Sequence, residues 1–236
     1  KVNLFGFHFA SLDIRQNSKI HNAVFKDIYD FYIKSNESVF PKNYYDLSEQ
    51  DKFEVLSTVK GALNPDDSEN EITRLTIESI QAIKVIQGNN GELGANRYII
   101  SNNENALNVM ETFALIRLSD WENPTVDVVP LFESVDDLLN AHNVMEQLYT
   151  NPVYANHLVN REMKQTIMLG FSDGTKDGGY LMANWSIYKA KEELTAISRK
   201  YGIKVIFFDG RGGPPSRGGG KTHKFYASLG SKIENN

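Results

Sequence analysis

The chain has 236 residues, of which 41% are hydrophobic and 23% charged, and its formal net charge is −5. The absence of cysteine excludes disulfide frameworks, thiolate catalysis and cysteine-ligated metals, and no apolar run approaches the roughly 18 residues of a membrane-spanning helix. We therefore expect a soluble, cytoplasmic protein that binds neither membranes nor nucleic acid.

Five short apolar, β-branched or aromatic runs predict strands. They are Phe5–Leu12, Tyr98–Ile100, Val126–Phe132, Thr166–Phe171 and Val205–Phe208. The last four recur every 28 to 40 residues, the spacing expected when strand, helix and two short loops alternate. This spacing predicts a parallel α/β fold, either an open doubly wound sheet or a (β/α)₈ barrel. Five strands are enough for an open doubly wound sheet but too few for an eight-stranded barrel.

The clearest predicted helix lies between the last two strands, at residues 180–201. Leu181, Trp185, Tyr188, Leu194 and Ile197 form its apolar stripe, and Gly202 stands in the place of a C-cap. Ser134 is positioned to cap the helix that follows the third strand. Most aromatic side chains, Trp121 and Trp185 included, are assigned to the core.

Charged side chains follow the predicted strands, where α/β folds collect their functional groups. Glu133 and Asp173 follow neighbouring strands and can converge on one point, as carboxylates that hold Mg²⁺ together with water and a substrate phosphate. The alternative for Glu133 is that it only complements a helix dipole. The charged residues that follow the strands are Asp13 with Arg15, Glu133, Asp173 with Lys176 and Asp177, and Asp209 with Arg211, and the uncharged Ser101 follows the second strand.

Six of the 17 glycines lie in the twelve residues Gly210–Lys221, together with Arg211 and Arg217. Glycine lets backbone N–H groups approach an anion, and arginines bind phosphate or carboxylate oxygens, so the segment predicts an anion-binding loop. The alternative is a flexible basic surface loop. The segment is not a Walker loop, because Pro215 stands where that motif requires glycine.

Residues Gly170–Gly174 match the GxSxG nucleophile elbow, with Asp209 and His223 following Ser172 in the order of an α/β-hydrolase. Only fourteen residues separate that acid from that base, and no oxyanion segment precedes them. Both features argue against a serine hydrolase, which nevertheless remains one alternative. A non-catalytic anion-binding module remains another.

Four motifs occur in the order found in phosphoenolpyruvate carboxylases, which the chain resembles over nearly its whole length. They are Leu12-Asp13-Ile14-Arg15-Gln16, Pro130-Leu131-Phe132-Glu133, Met168-Leu169-Gly170-Phe171-Ser172-Asp173 with Lys176-Asp177, and Gly210-Arg211-Gly212-Gly213 with Arg217-Gly218-Gly219-Gly220. The resemblance implies a partial (β/α)₈ barrel with additional helices, residues 1–236 forming one central segment. It also implies Mg²⁺- or Mn²⁺-dependent carboxylation of phosphoenolpyruvate by bicarbonate, which yields oxaloacetate and phosphate.

The resemblance assigns a role to each motif residue. Glu133 and Asp173 match the family's metal ligands, Lys176 a catalytic lysine, and Asp173 replaces Ser172 as the residue of interest. The glycine-loop arginine, Arg217, is implied in catalysis. The resemblance implies that six residues bind the substrate and its phosphate, namely Arg15, Arg211, Gly212, Gly213, Arg217 and Gly218. It implies that the three arginines among them are also catalytic.

The chain also departs from the family pattern. Asp209 stands where the family commonly has a histidine near bicarbonate, and Pro214-Pro215-Ser216 stiffens the glycine-rich loop. Family members are several times longer, with a catalytic histidine in a Thr-Ala-His-Pro segment and a C-terminal helical half. We therefore expect a fragment, inactive alone, of a cytoplasmic homotetramer that supplies the tricarboxylic acid cycle; self-association of the fragment stays open.

Overall fold

The computed structural model describes residues 10–35, 37, 39–210 and 221–234, and its strands form one sheet in chain order. All five run parallel, so the predicted α/β class is confirmed, and the sheet is consistent with a partial barrel. The four later strands fall on the predicted apolar runs. The strands are β1 (Asp13–Asn17), β2 (Arg97–Ser101), β3 (Asp127–Phe132), β4 (Lys164–Gly170) and β5 (Lys204–Gly210).

Helices connect these strands, as parallel pairing requires. None of the described helices is both long and apolar enough to cross a bilayer. Short 3₁₀ turns occupy Tyr44–Asp46, Pro65–Asp67 and Glu92–Gly94. The helices are α1 (Ser18–Ser35), α2 (Glu49–Thr58), α3 (Glu71–Asn90), α4 (Ala106–Leu118), α5 (Val135–Thr150), α6 (Pro152–Asn160), α7 (Ser172–Lys200) and α8 (Thr222–Ala227).

The first strand lies later in the chain than its apolar run predicts. Residues 5–9 of the predicted strand 5–12 lie outside the described residues, and residues 10–12 are not in a strand. The strand starts at Asp13, so Asp13 and Arg15 lie within β1 and do not follow it. Because β1 is at the end of the strand order and only half-buried, polar residues can form it. Its Asp13 pairs with Arg97 of β2, Nε to Oδ1 at 2.7 Å.

Helix α7 begins earlier than predicted and buries a different face. Gly179 adopts φ +78° and divides it, so the predicted helix 180–201 corresponds to its second part. Gly202 takes the left-handed conformation expected of its position after the helix end. The predicted apolar stripe is only partly right, since Leu194 is buried but Leu181 is 82% exposed and Trp185 59% exposed. Trp121, by contrast, is buried as predicted.

Small residues and one lysine form the buried face of α7. The face contains Ala183, Ile187, Ala190, Lys191 and Leu194, and the helix packs against α5. Alanine allows two helices to approach closely, and Leu181 and Trp185 of the predicted stripe lie on the outer side. Apolar spacing alone cannot identify a face built in this way.

Contacts among the described residues divide the chain into two compact units. One contains the described residues up to Ile100 together with Leu107–Val128, and the other contains Ser101–Ala106 and the described residues from Val129 onward. In the first, the rings of Phe25, Tyr29, Tyr32, Phe40 and Tyr44 pack with centroids 5.3 to 6.0 Å apart. That residues 1–236 form a single barrel segment stays a prediction.

In the second unit, the strand register brings the C-terminal ends of β3, β4 and β5 level with one another. Leu131 of β3 is level with Met168 of β4, and Met168 is level with Phe208 of β5. The three strands therefore end at the same edge of the sheet. The residues that follow them are brought together by this register.

Candidate active site

A cleft of about 400 Å³ lies at that edge of the sheet. Glu133, which follows β3, and Asp173, in the first turn of α7 after β4, both line it, together with Lys176. The sequence placed these three residues at strand ends, and the structure places them around one cavity. The complete lining is Asn102, Glu133, Ser134, Asp137, Asp173, Lys176 and Asp177.

Glu133 is held by backbone contacts on several sides. The backbone N–H of Asn102 donates to its Oε2 at 2.7 Å. A Cβ atom added to Gly170 would lie 3.1 Å from its Cγ and 3.2 Å from its Cα, and one added to Gly174 would lie 3.3 Å from its carbonyl oxygen. The two glycines of the GxSxG string therefore serve close packing against Glu133.

We expect Gly170→Ala to destabilise the protein by about 1–3 kcal/mol, because the new methyl group overpacks the Glu133 backbone and side chain. Gly88, within α3, is a matched control, since a Cβ atom there meets nothing within 4 Å. Gly88→Ala should stabilise by about 0.5–1 kcal/mol through the higher helix propensity of alanine. Urea denaturation measures both. A Gly170→Ala protein as stable as the parent would contradict the packing argument.

Asp173 and Lys176 form an ion pair within the first turn of α7. Lys176 Nζ lies 2.9 Å from Asp173 Oδ1, and the two side chains are 51% (Asp173) and 78% (Lys176) exposed. An exposed pair of this kind contributes only about 0.2–1 kcal/mol. The pair can therefore open at little cost, which would release a carboxylate and an ammonium group toward a ligand in the cleft.

The N-terminus of α5 borders the cleft, and side chains accept hydrogen bonds from its Val135 and Asp137 N–H groups. Ser134 caps the helix as predicted, with its Oγ accepting from the Asp137 N–H at 3.0 Å and Asp137 Oδ2 accepting from the Ser134 N–H at 3.1 Å. Asp137 is thus engaged in a capping box. Asp177 Oδ2 accepts from the Val135 N–H at 3.1 Å.

Asp209, the residue predicted near bicarbonate, lies in β5 and is not part of the cleft lining. Its side chain is 5% exposed and contacts Lys191, which is 1% exposed, at 2.8 Å. Tyr226 also donates its hydroxyl to Asp209 Oδ2 at 2.9 Å. Sequence reasoning missed Lys191, because a lysine in a helix gives no local signal that it is buried.

The remaining predicted site residues are not part of the cleft lining. Arg15 lies in β1 of the first unit with an exposed side chain. Asn102, by contrast, lines the cleft and donates its backbone N–H to Glu133, a contact that sequence reasoning missed. Arg211, Gly212, Gly213, Arg217 and Gly218 lie outside the described residues.

The family model of phosphoenolpyruvate carboxylase matches residues 1–229. The chain belongs to the phosphoenolpyruvate carboxylase family. Phosphoenolpyruvate carboxylase of Nitrosomonas eutropha is 36% identical over 233 residues, that of Nitrosomonas europaea 34%, and that of Gloeobacter violaceus 35%. These alignments cover 94 to 95% of this chain and 24% of each relative. The chain therefore spans about a quarter of the length of these curated relatives.

Phosphoenolpyruvate carboxylases are generally dependent on a divalent metal, and the donors in the cleft fit a hard cation. Among the described residues no three acidic or histidine side chains group as metal ligands. Mg²⁺ does not need such a group, because it keeps several waters and takes one or two carboxylates together with substrate phosphate. Glu133 and Asp173 supply two carboxylates beside an open volume, which suits this mode of binding.

The hydrolase alternative is not favoured within the phosphoenolpyruvate carboxylase family. Ser172 lies in the first turn of α7. The described contacts of Asp209 are with Lys191 and Tyr226, and none joins it to His223 in α8. The acid and base of a catalytic triad are therefore not brought together in the described part of the chain.

Proposed function

We propose that this chain forms the metal- and phosphate-binding part of an enzyme that carboxylates phosphoenolpyruvate with bicarbonate. The products are oxaloacetate and phosphate, which makes the parent protein a carboxy-lyase. The observation that carries the proposal is the cleft at the C-terminal edge of the sheet, where Glu133, Asp173 and Lys176 meet. Membership of the family supports the choice of substrate.

Glu133 and Asp173 are the residues that would hold Mg²⁺ or Mn²⁺. The cation would offset the negative charge of the phosphate and of the enolate oxygen that develops during the reaction. The Asn102 N–H keeps Glu133 oriented, and the glycines beneath it limit its movement. One candidate ligand, Glu133, is thus held in a fixed position, whereas the other, Asp173, forms only a weak ion pair with Lys176.

Lys176 suits a role in binding the substrate phosphate. If a cation took its place at Asp173, Lys176 would be free to present its ammonium group from a side chain that is 78% exposed beside the cleft. A cation and an anion about 4 Å apart attract each other by about 4 kcal/mol at an effective dielectric near 20. Lys176 can therefore follow the phosphate without any movement of the helix.

The arginines and glycines of the motifs complete the proposal. We assign phosphate and intermediate binding to Arg15, Arg211 and Arg217, with Gly212, Gly213 and Gly218 offering backbone N–H groups. Asp209 stays our candidate for the bicarbonate region, although Lys191 already balances its charge. The parent would act as a cytoplasmic homotetramer that supplies the tricarboxylic acid cycle.

Titration calorimetry with Mn²⁺ and phosphoenolpyruvate tests this function on the purified chain. We expect phosphoenolpyruvate to bind only when Mn²⁺ is present, and no oxaloacetate to form from the chain alone. Asp173→Asn should weaken Mn²⁺ binding by at least about 10-fold, because a metal ligand loses its charge. Lys176→Met should retain Mn²⁺ binding and lose most of the affinity for phosphoenolpyruvate.

Two exposed residues serve as matched controls. Asp136→Asn removes an exposed acid from the first turn of α5 that does not line the cleft, and Lys164→Met removes a lysine from the opposite end of β4. Both proteins should bind Mn²⁺ and phosphoenolpyruvate as the parent does. Binding of phosphoenolpyruvate without metal, or binding unchanged in Asp173→Asn, would refute the proposal.

A further inference from the structure

We infer that Asp177 is a positioning residue that ties the segment carrying Glu133 to the helical turn carrying Asp173. The inference rests on the proposed function, because it concerns the spacing of the two candidate metal ligands. Its basis is the hydrogen bond from the Val135 N–H to Asp177 Oδ2, 3.1 Å long, which joins residues 42 apart in the sequence.

Each end of this hydrogen bond is close to a candidate ligand. Val135 follows Glu133 by two residues and is the first residue of α5. Asp177 follows Asp173 by four residues, so both side chains lie on one face of the helix, about one turn apart. Moving Asp177 away from Val135 would therefore move Asp173 relative to Glu133.

The capping box of α5 leaves this contact to Asp177. The first N–H groups of a helix have no partner within it, and in α5 the box satisfies the N–H of Asp137. The carboxylate of Asp177 satisfies the N–H of Val135, and its charge also complements the helix dipole. One side chain thus stabilises the start of α5 and anchors the start of α7.

The first turns of α7 need such an anchor because Gly179 interrupts the helix directly after them. Its φ of +78° ends regular helical backbone at residue 178, so the long second part of α7 does not fix the direction of the short first part. The first part instead depends on its own contacts, of which the close approach of Gly174 to the Glu133 carbonyl is one. The hydrogen bond from the Val135 N–H to Asp177 adds a second contact, and this one has a defined direction.

Mn²⁺ affinity, measured by titration of the purified chain, tests this role in Asp177→Ala and Asp177→Asn. We expect Asp177→Ala to weaken Mn²⁺ binding by about 10- to 100-fold, the usual cost of losing a partner that orients a metal ligand. Asp177→Asn keeps an acceptor oxygen for the Val135 N–H and should remain within a few-fold of the parent. Asp136→Ala, an exposed acid in the same turn of α5, is the control and should change nothing.

Amide hydrogen exchange at Val135 provides a readout that does not depend on metal. Exchange should accelerate in Asp177→Ala and not in Asp177→Asn. If the parent binds Mn²⁺ and Asp177→Ala binds it equally well, the inference is overturned while the proposed function stands. Equal loss of Mn²⁺ binding in both variants would also overturn it, since the charge and not the tether would then matter. A parent that binds no Mn²⁺ would refute the proposed function and the positioning role together.

Discussion

Replacing Lys191 by methionine should lower the free energy of unfolding by about 3–5 kcal/mol. The substitution leaves the Asp209 carboxylate buried without its cation, and the cost of an unpaired buried charge is far larger than the value of the pair itself. Both side chains are almost completely buried, with Lys191 Nζ 2.8 Å from Oδ1 and 2.9 Å from Oδ2 of Asp209.

The surroundings of the pair explain why this lysine is accommodated. Its ammonium group lies 5.3 Å from the ring centroid of Phe207 and 5.9 Å from that of Tyr226, within reach of cation–π attraction. Tyr226 also donates a hydrogen bond to the carboxylate. Both charged groups therefore have partners within a largely buried site, and removing one of them leaves the other with little access to water.

A double variant distinguishes a buried charge from lost packing. Lys191→Met combined with Asp209→Leu removes both charges and should recover most of the stability lost in the single variant. Lys189→Met is the control on the same helix, because its ion pair with Glu192 is near the surface and its loss should change the stability little. Urea denaturation that finds Lys191→Met within 1 kcal/mol of the parent, or additive losses in the double variant, would contradict this account.

The second large effect concerns pH and two buried residues of the first unit, His21 and Glu111. Burial lowers the pKa of His21 from 6.5 to about 4. Its Nε2 lies 2.9 Å from the Tyr98 hydroxyl and its Nδ1 lies 3.0 Å from the Thr112 hydroxyl. Because Thr112 donates its proton to the Asn108 carbonyl, Nδ1 carries the imidazole proton and Nε2 accepts from Tyr98. A neutral ring satisfies every partner.

Burial also raises the pKa of Glu111 from 4.5 to about 7, against the opposing attraction of Lys52. The two residues act in opposite directions. The depressed pKa of His21 gives stability that is present above pH 6.5 and lost as the pH falls toward 4. The raised pKa of Glu111 gives stability that is present below pH 4.5 and lost as the pH rises toward 7. Between pH 4.5 and 6.5 the two contributions change with pH in opposite directions at about the same rate, so their pH dependences nearly cancel.

Single substitutions should expose each contribution. On acidification from pH 6.5 to 4.5, Glu111→Gln should lose about 2 kcal/mol more stability than the parent protein, and His21→Asn about 2 kcal/mol less. Urea denaturation at the two pH values measures both, and comparison with the parent removes the effect of all other titrating groups. Parallel pH profiles for the parent and both variants would show that neither residue titrates as described.

The cleft was largely predictable from local signals. Glu133 and Asp173 follow apolar runs that form β3 and β4, and neighbouring parallel strands end at the same edge. Ser134 was likewise recognisable as a helix cap from its position. The misplacement of β1 has a local cause, since a half-buried strand of polar residues carries no apolar run.

The contacts that hold the site were not predictable in this way. Lys191 and Asp209, or Val135 and Asp177, are pairs of residues far apart in the chain, and nothing in either local sequence names its partner. The buried face of α7 is similar, because close packing against α5 selects alanines and places Trp185 outside. A hydrophobicity pattern ranks residues by their own polarity and cannot anticipate how a neighbour fills space.

By itself the sequence determined the parallel α/β class, the positions of β2 to β5 along the chain, the acids that follow β3 and β4, and the family, because these depend on short segments and on motifs that are complete within them. Only the tertiary structure decided that Lys191 is buried and balances Asp209, that Gly170 and Gly174 support Glu133, and that Asp177 joins α7 to α5. Each of these depends on two distant segments meeting, and the energy of a buried charge or a shared hydrogen bond exists only once they have met.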